Sequence, residues 1–320
     1  MVSRRHFLAT SMALPFSSLA LAKTFPEKYI KLVIPYSAGG PGDYLARAFA
    51  DNLGKEFAGS VIVENKPGGG SIIGTKYAAA SKNDGYTLLQ VTSSQYINRL
   101  LYGPSNSYVL TDLFEPVSYN FEMPMVLVVP KGKNIKTLEQ LVEYSKKNNV
   151  SYGSGSIGTI GHLTSELLKK KTQMDAINVP YTSNGSAMVD LLSGRLDFYF
   201  ATPVDVYARI NNGDLIALAL TSPQRDPNIP EVPTMKELGY PDIDAMVSWG
   251  YMLPKGVDAE IVQKYKTAIS HVLAKQGLVH DLNRMGIQVV NGNSGVLLEK
   301  IKSENQKWTD IVKEQNIQVK

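Results

Sequence analysis

The chain has 320 residues, 43% of them hydrophobic and 19% charged, so it can bury sizeable cores and is neither a small module nor a disordered tail. Lysine and arginine number 33 and aspartate and glutamate 29, a near balance that does not favour a nucleic-acid partner. The sequence has no cysteine, which excludes disulfides, thiolate metal sites and thiol catalysis.

The first 22 residues have the parts of an export signal. A basic start at residues 3–8 (SRRHFL) leads into an apolar run and then into the small-x-small cleavage pattern of residues 20–22. The arginine pair is typical of the bacterial twin-arginine signal, and an ordinary secretory signal is the alternative. A retained membrane anchor is disfavoured because Pro15 interrupts a run already short for a spanning helix. Both routes lead out of the cytoplasm and predict a soluble mature protein, cleaved near Ala22.

Short β-branched runs then alternate with segments of helical period, a pattern typical of βαβ units and parallel sheets. In chain order, this pattern predicts strands at residues 30–35, 61–64, 86–91, 125–129, 150–153, 176–179 and 196–201. It predicts helices at residues 43–57, 72–80, 138–147, 159–171, 186–193, 258–275 and 296–315. The fold class predicted is therefore α/β.

Two extended, irregularly patterned segments, residues 115–125 and 245–253, bracket the middle of the chain. They indicate a chain that leaves one domain, builds a second and returns, with a small-molecule cleft between two α/β halves. The predicted organisation is an export signal at residues 1–22, a first domain of residues 23–121 plus 251–320, and a second domain of residues 122–250.

The loop after the first strand, residues 35–43 (PYSAGGPGD), is a candidate anion site. Its glycines let a ligand approach the backbone, and the free amides at the following helix start favour negative charge. The alternative is a tight turn in which Asp43 caps the helix, and Asp43 can also do both. A dinucleotide fingerprint starting at Gly40 is disfavoured because Leu45 occupies the third glycine position.

A second loop, residues 152–162 (YGSGSIGTIGH), repeats this design between a strand and a helix. Its hydroxyls and exposed amides suit a carboxylate held by neutral donors, and a flexible surface loop is the alternative. The turn at Ser93 and Ser94, after the third strand, is a further candidate.

Catalytic and metal-binding motifs are poorly represented. The sequence has no Gly-x-Ser-x-Gly elbow, no His-Glu-x-x-His and no phosphate-binding P-loop. His162 stands near Ser154 and Ser156, although a structural role is favoured for it. Asp242 and Asp244 are interpreted as solvated loop charges rather than metal ligands. The sequence thus predicts no enzyme, no metal and no cofactor.

Six stretches, taken together, resemble the periplasmic solute receptors of tripartite tricarboxylate transporters, the Bug family. They are IKLVIPYSAGGPGDYLAR (30–47), VIVENKPGGG (61–70), NDGYTLL (83–89), SYGSGSIGTIGHL (151–163), NVPYTSNGSAMVDLLSGRLDF (178–198) and VPTMKELG (232–239). The resemblance implies a two-domain periplasmic-binding-protein fold, type II-like, whose lobes are joined by two hinge strands. It further implies a monomer that closes over a small carboxylate and delivers it to integral membrane permease subunits.

The same resemblance implies which residues hold the ligand. Those in the two glycine-rich loops are Tyr36, Ala38, Gly39, Asp43, Ser154, Gly155, Ser156 and Thr159. Analogy adds Ser93, Ser94, Pro203 and Asp205 at further cleft-facing turns, whereas Arg47 is expected to be structural. Gly42 departs from the family pattern, because members often carry a hydroxyl residue there, which puts ligand identity in doubt. An exported cofactor-dependent enzyme and a receptor that signals to a membrane sensor are the competing hypotheses.

Overall fold

The computed structural model describes residues 25–104 and 106–317, so the predicted export signal lies outside the described residues. The chain up to residue 124 contains β1 (Ile30–Ile34), α1 (Pro41–Glu56), β2 (Val61–Asn65), α2 (Ile72–Ala79), β3 (Thr87–Thr92), α3 (Ser93–Tyr96), α4 (Asn98–Tyr102), α5 (Leu110–Leu113) and β4 (Phe114–Pro124). The middle contains β5 (Val126–Pro130), α6 (Leu138–Ser145), β6 (Ser151–Ser154), α7 (Ile160–Thr172), β7 (Ile177–Pro180), α8 (Asn184–Leu192), β8 (Phe198–Ala201), α9 (Pro203–Asn211) and β9 (Leu215–Leu220). The last part contains β10 (Met246–Pro254), α10 (Ala259–Leu273), α11 (Gln276–Arg284), β11 (Gln288–Asn293) and α12 (Ser294–Glu314).

The first sheet has the strand order β11-β4-β10-β3-β1-β2. β1 pairs in parallel with β2 and β3, whereas β10 and β4 run antiparallel to their neighbours. Leu32 in β1 packs with Phe49 of α1 on one face of this sheet, and Val33 packs with Leu297 of α12 on the other. Because both faces are covered, the β-branched run of β1 is almost fully buried.

The second sheet has the order β7-β6-β8-β5-β9, with β6 parallel to β7 and β8 and with β5 antiparallel to both of its neighbours. Hydrophobic clusters cover both faces of this sheet. Leu163 of α7 packs with Phe200 on one face, and Leu191 of α8 packs with Tyr199 on the other. The two sheets with their helices are the two lobes of the predicted fold, which is confirmed.

The chain passes between the lobes twice, once from β4 to β5 at Met125 and once between β9 and β10. The two segments predicted as hinges form β4 and β10. They pair antiparallel in the first sheet, with register shifts at Trp249/Gly250 and Tyr251/Met252. The predicted domain boundaries fall inside these strands, whose pairing continues to Pro124 and Met246.

Helix α12 is a third connection between the lobes. Its first half packs on the first lobe through Leu297, and its second half packs on the second lobe through Trp308 and Ile311. Near its middle, Asn305 Nδ2 donates a hydrogen bond of 2.6 Å to the backbone oxygen of Tyr96 in α3.

The lobes also touch away from these connections. A Cβ on Gly158 would lie 2.6 Å from a methyl carbon of Leu101, which belongs to the first lobe. Elsewhere, Asn228 Nδ2 donates to the backbone oxygen of Asn283 at 3.1 Å. The conformation described is therefore one in which the two lobes are in contact.

All the strands and helices predicted from periodicity are present, with ends that shift by one to a few residues. Helix α1 begins at Pro41, earlier than predicted, because proline fits the first helical position. The single-turn helices α3 to α5 were not predicted, and neither were α9, β9, α11 and β11. None of the described helices combines the length and the apolarity that a bilayer crossing requires.

Candidate functional site: a cleft between two glycine-rich loops

A cavity of about 230 Å³ lies between the lobes, where the carboxyl ends of β1, β3, β6 and β8 approach one another. Loops that follow parallel strands at this edge are the usual binding positions in α/β folds. The first lobe and its hinge strands line the cavity with Tyr36, Ser37, Gly40, Pro41, Gly42, Asp43, Thr92, Ser94, Met123, Val247 and Trp249. The segment between β4 and β5 contributes Met125, and the second lobe contributes Gly155, Thr159, Ile160, Gly161, Asn184, Tyr199, Phe200 and Thr202.

The first glycine-rich loop ends in the N-terminus of α1. Gly40 is the N-cap residue and no side chain caps this helix, so the alternative interpretation of Asp43 as its cap does not hold. The physical reason is that Pro41 fits the first helical position and moves the start of the helix ahead of Asp43. The amides of Gly40 and Gly42 have no partner within the described part of the chain and remain available as donors.

Asp43 instead fixes the shape of this loop. Its Oδ2 accepts hydrogen bonds from the Gly39 amide at 3.0 Å and from Arg47 Nε at 3.1 Å. Its Oδ1 accepts from Arg47 Nη2 at 3.0 Å and from Asn65 Nδ2 at 2.9 Å. Burial raises the pKa of Asp43, but the bonds from Arg47, Gly39 and Asn65 outweigh burial and hold the pKa below its usual value. Asp43 is therefore ionised, and Arg47 has the structural role predicted for it.

Hydroxyl groups of the first lobe line one side of the cavity. Tyr36 Oη lies 2.8 Å from Thr92 Oγ1, and burial raises the pKa of Tyr36, so the phenol stays protonated. Ser94 also lines the cavity. Ser93, in contrast, is fully buried and donates to the backbone oxygen of Met246 at 3.1 Å, which ties α3 to β10.

Trp249 of β10 packs against the first turn of α1. A Cβ on Gly42 would lie 3.1 Å from Trp249 Nε1, so the missing side chain at position 42 is what admits the indole ring. No hydrogen bond joins the indole N–H to another group among residues 25–104 and 106–317. Trp249 was not predicted as a site residue. The two-residue spacing from Val247, which places both side chains on one face of the strand, was the available signal.

The second glycine-rich loop ends in the N-terminus of α7. Thr159 is the N-cap residue, and its hydroxyl donates to the backbone oxygen of Ser156 at 2.9 Å. The amides of Ile160 and Gly161 are without a partner among the described residues. This helix start thus presents two backbone donors toward the cavity, as α1 does from the opposite lobe.

Gly155 makes room for a polar pair on the same wall. A Cβ there would lie 2.1 Å from Asn184 Oδ1, which accepts a hydrogen bond of 3.0 Å from Tyr199 Oη. Asn184 and Tyr199 were not predicted as site residues, because their approach to Gly155 depends on how α8 and β8 pack on β6.

His162 is a structural residue, as the sequence favoured. Its Nδ1 accepts the Gly158 amide at 3.0 Å, and its Nε2 lies 4.0 Å from Glu166 Oε1. Burial lowers the pKa of His162 to about 4, so the ring is neutral near pH 7. His162 therefore stabilises the second glycine-rich loop through the Gly158 amide. No hydrogen bond joins His162 to Ser154 or Ser156 in the described structure.

The structure brings Tyr36, Asp43, Ser94, Gly155 and Thr159 together around the cavity. The other predicted ligand-binding residues lie outside this lining, each with a different environment. Ala38 and Gly39 are exposed on the first loop, Ser156 is exposed on the second, Ser93 and Ser154 are fully buried, and Pro203 and Asp205 begin α9. Asp205 accepts a hydrogen bond of 2.6 Å from Thr202 Oγ1, which does line the cavity.

Two α/β lobes, a chain that crosses between them twice, and a cavity walled by loops of both define a two-lobed solute-binding protein. Residues 45–317 match the family described as the tripartite tricarboxylate transporter family receptor. The chain belongs to this family of receptors, and the predicted resemblance to Bug proteins is confirmed.

Among known relatives, protein BugT of Bordetella pertussis is 33% identical over 318 residues, which are 98% of this chain and 96% of BugT. The structure of R. palustris Rpa4515 with adipate is 26% identical with a TM-score of 0.83, covering 92% of this chain and 100% of that one. The structure of MatC (Rpa3494) from Rhodopseudomonas palustris with bound malate is 26% identical with a TM-score of 0.79, covering 90% and 100%. These relatives are solute-binding receptors, and the prediction that the protein is not an enzyme is confirmed.

Proposed function

We propose that this protein is a periplasmic receptor that captures a small carboxylate between its lobes and delivers it to a tripartite-type membrane permease. The observation that carries the proposal is the pair of helix starts that line one cavity from opposite lobes. Gly40 and Gly42 at α1, and Ile160 and Gly161 at α7, offer unpartnered amides to the same space. Relatives solved with adipate and with malate support an acid as the ligand.

The proposed mechanism is capture without covalent change. Backbone amides at a helix N-terminus donate to an anion, and the helix dipole adds to the attraction. A carboxylate that bridges both helix starts gains its full set of bonds only when the lobes meet, so ligand binding favours the closed arrangement. The amides lose their water on closure, which makes a poorly matched acid costly to bind.

The proposal includes the organisation expected from the sequence. The export signal is removed near Ala22, and the mature protein acts as a monomer. The first domain is formed by residues 23–121 plus 251–320 and the second by residues 122–250, with β4 and β10 as the hinge strands. The glycine-loop residues named from the family resemblance form the ligand-binding region, with those in the cavity lining making direct contact.

Calorimetric titration of the purified protein with malate, adipate, citrate, benzoate and glutamate tests the proposal. We expect at least one acid to bind with micromolar affinity, which corresponds to roughly −8 kcal/mol. The amide or methyl ester of that acid is the matched control and should bind far more weakly, because it lacks the charge that the helix starts attract. Binding of no acid, or equal binding of the uncharged control, contradicts the proposal.

Delivery to a permease is tested separately by uptake. Cells that express the receptor with its cognate permease should accumulate the labelled acid, and cells without the receptor should not. Uptake that is unaffected by loss of the receptor contradicts the delivery step while leaving ligand capture intact.

A further inference from the structure

We propose that the cleft selects an acid with a single carboxylate on a compact apolar body, and that Trp249 sets this preference. The inference rests on the proposed function, since it names the class of carboxylate that the same cavity takes. It follows from the chemistry of the cavity walls, their charge and the volume between them.

The walls are largely apolar. Residues of both lobes and of the segments that join them contribute apolar atoms to the lining, namely Met123, Met125, Ile160, Phe200, Val247 and Trp249. An apolar ligand surface gains free energy on burial against such walls, whereas a second carboxylate or several hydroxyls would lose water without replacement.

The charges around the cavity also favour a ligand with a single carboxylate. Asp43 is the one charged side chain among the described lining residues, and it is already paired with Arg47. No lysine, arginine or histidine of the described chain lines the space, so each carboxylate of a ligand depends on the backbone donors at the two helix starts. Burying an unpaired carboxylate is strongly unfavourable.

Polar side chains of the second lobe that line the cavity already have hydrogen-bond partners within that lobe. Asn184 accepts from Tyr199, Thr159 donates to the backbone of Ser156, and Thr202 donates to Asp205. The unpartnered backbone donors lie at the two helix starts.

The size of the cavity also limits the ligand. A volume of about 230 Å³ lies below the range of about 300–1,000 Å³ that is usual for ligand pockets, so the cavity favours a small acid.

Trp249 completes the place for the carboxylate. The side chain is 3% exposed, its Nε1–H is unpartnered in the described structure, and it lies beside the first turn of α1 because position 42 is glycine. The indole thus supplies, next to the Gly42 amide, the donor that a hydroxyl residue at position 42 would otherwise provide. Its ring face adds apolar surface for the body of the same ligand.

Competing titrations of the wild-type protein with benzoate, cyclohexanecarboxylate, malate, adipate and citrate test the inference. We expect one of the first two acids to bind at least tenfold more tightly than any of the last three. Tighter binding of malate, adipate or citrate overturns the inference and leaves the proposed function standing. Binding of none of the five overturns the inference, and the proposed function is contradicted as well if glutamate also fails to bind.

Two variants test the role of Trp249, with circular dichroism and thermal melting as checks on folding. Trp249→Phe keeps a flat ring but removes the N–H, and we expect benzoate affinity to fall at least tenfold. Gly42→Ser places new atoms where the indole lies, and we expect the preference for benzoate over malate to narrow. Unchanged benzoate affinity in folded Trp249→Phe overturns the assignment of Trp249.

Intrinsic fluorescence gives a second readout that does not depend on a variant. The chain has 2 tryptophans, and Trp308 is fully buried with its Nε1 donating to Glu304 Oε2 at 2.6 Å. A ligand in the cleft should therefore change the emission through Trp249 and leave the Trp308 contribution constant. Saturation with benzoate that leaves the emission unchanged overturns the placement of the ligand against Trp249.

Discussion

Asp43 shows that a carboxylate at a binding cleft can serve the backbone rather than the ligand. Its two oxygens accept four hydrogen bonds from Gly39, Arg47 and Asn65, and the Asn65 amide also donates to the backbone oxygen of Tyr36 at 3.1 Å. The shape of the first glycine-rich loop therefore depends on the charge of Asp43.

We expect Asp43→Asn to lower the free energy of unfolding by about 2 kcal/mol, because charge-assisted bonds are lost and an amide donor meets other donors. Ligand affinity should fall with it, since the loop that presents Gly40 loses its anchor. Urea unfolding and calorimetry measure the two effects. Asp51→Asn, an exposed residue of the same helix, is the control. A variant with wild-type stability and affinity would contradict the anchoring role.

His162 predicts a dependence of stability on pH. Burial lowers its folded-state pKa to about 4 from the ordinary value of 6.5. Because the unfolded chain then takes up the proton first, the contribution of neutral His162 to stability is complete above pH 6.5 and is lost as the pH falls toward 4. The linkage relation gives a loss of about 2 kcal/mol between pH 7 and pH 5.

His162→Asn, which retains an acceptor for the Gly158 amide, should show a smaller loss over that interval. The measurement is the free energy of unfolding in urea at pH 7 and at pH 5. His280→Asn, at an exposed position, should behave like the wild type. Equal slopes for the wild type and His162→Asn would show that His162 does not titrate as inferred.

At the residue scale, the sequence revealed the parts of the site that are local. Runs of glycine before a helix identify both loops, because the backbone conformations that need glycine depend on only a few neighbouring residues. Trp249, Asn184 and Phe200 escaped prediction because their neighbours at the cleft lie far away along the chain. The glycine at position 42 was recognised as a departure from the family pattern. Only the structure shows that the Trp249 indole lies next to the space that a side chain at position 42 would occupy.

At the scale of elements, the start of α7 allows a direct test of backbone donors. Ile160 is the first residue of the helix, and the preceding Thr159 is extended with ψ of 157°. Proline fits the first helical position and accepts an extended residue before it. Ile160→Pro therefore removes one N–H from the cleft without breaking the helix.

We expect Ile160→Pro to bind the ligand about tenfold more weakly than Ile160→Ala, the size of one hydrogen bond to a charged group. Both variants lose the isoleucine side chain, so their difference isolates the amide. Calorimetry gives the affinities, and thermal melting verifies that both variants fold. Equal affinities would place the ligand away from α7.

The pairing of the hinge strands and the packing of α12 could not be predicted from the sequence. The sequence pattern predicted the two extended segments and the terminal helix. It could not predict that β4 and β10 pair within the first sheet, because strand pairing joins distant segments. Nor could one apolar face of a helix reveal that its two halves pack on different lobes.

At the scale of the whole molecule, contacts between the lobes outside the cleft should influence affinity. Asn228 Nδ2 donates to the backbone oxygen of Asn283 across the lobes. Separation of the lobes at this point breaks the bond, so it adds to the stability of the arrangement that holds the ligand.

We expect Asn228→Ala to weaken ligand binding by about threefold to tenfold, the size of the one neutral hydrogen bond that crosses the lobes, while the bonds of the same amide to Asp226 and Tyr207 lie within the second lobe. Asn148→Ala, which removes a bond to Tyr144 within the second lobe, is the matched control and should keep wild-type affinity. Small-angle scattering of the free protein should show a larger radius of gyration for Asn228→Ala only. If the two variants bind alike, this contact has no part in closure.

The overall architecture was the most predictable feature, because alternating strands and helices and two extended segments already required a chain that leaves one lobe and returns. The volume and the apolar character of the cavity were not predictable, because they depend on how far the lobes approach each other.

The packing of α12 on both lobes restricts how the molecule can move. Two bodies joined only by a pair of neighbouring strands could bend in several directions and also twist. A helix packed on both bodies restrains these motions and favours rotation about an axis close to the helix. We expect any closure about that axis to return the two helix starts to the same mutual alignment, so that a ligand meets the same arrangement of donors each time.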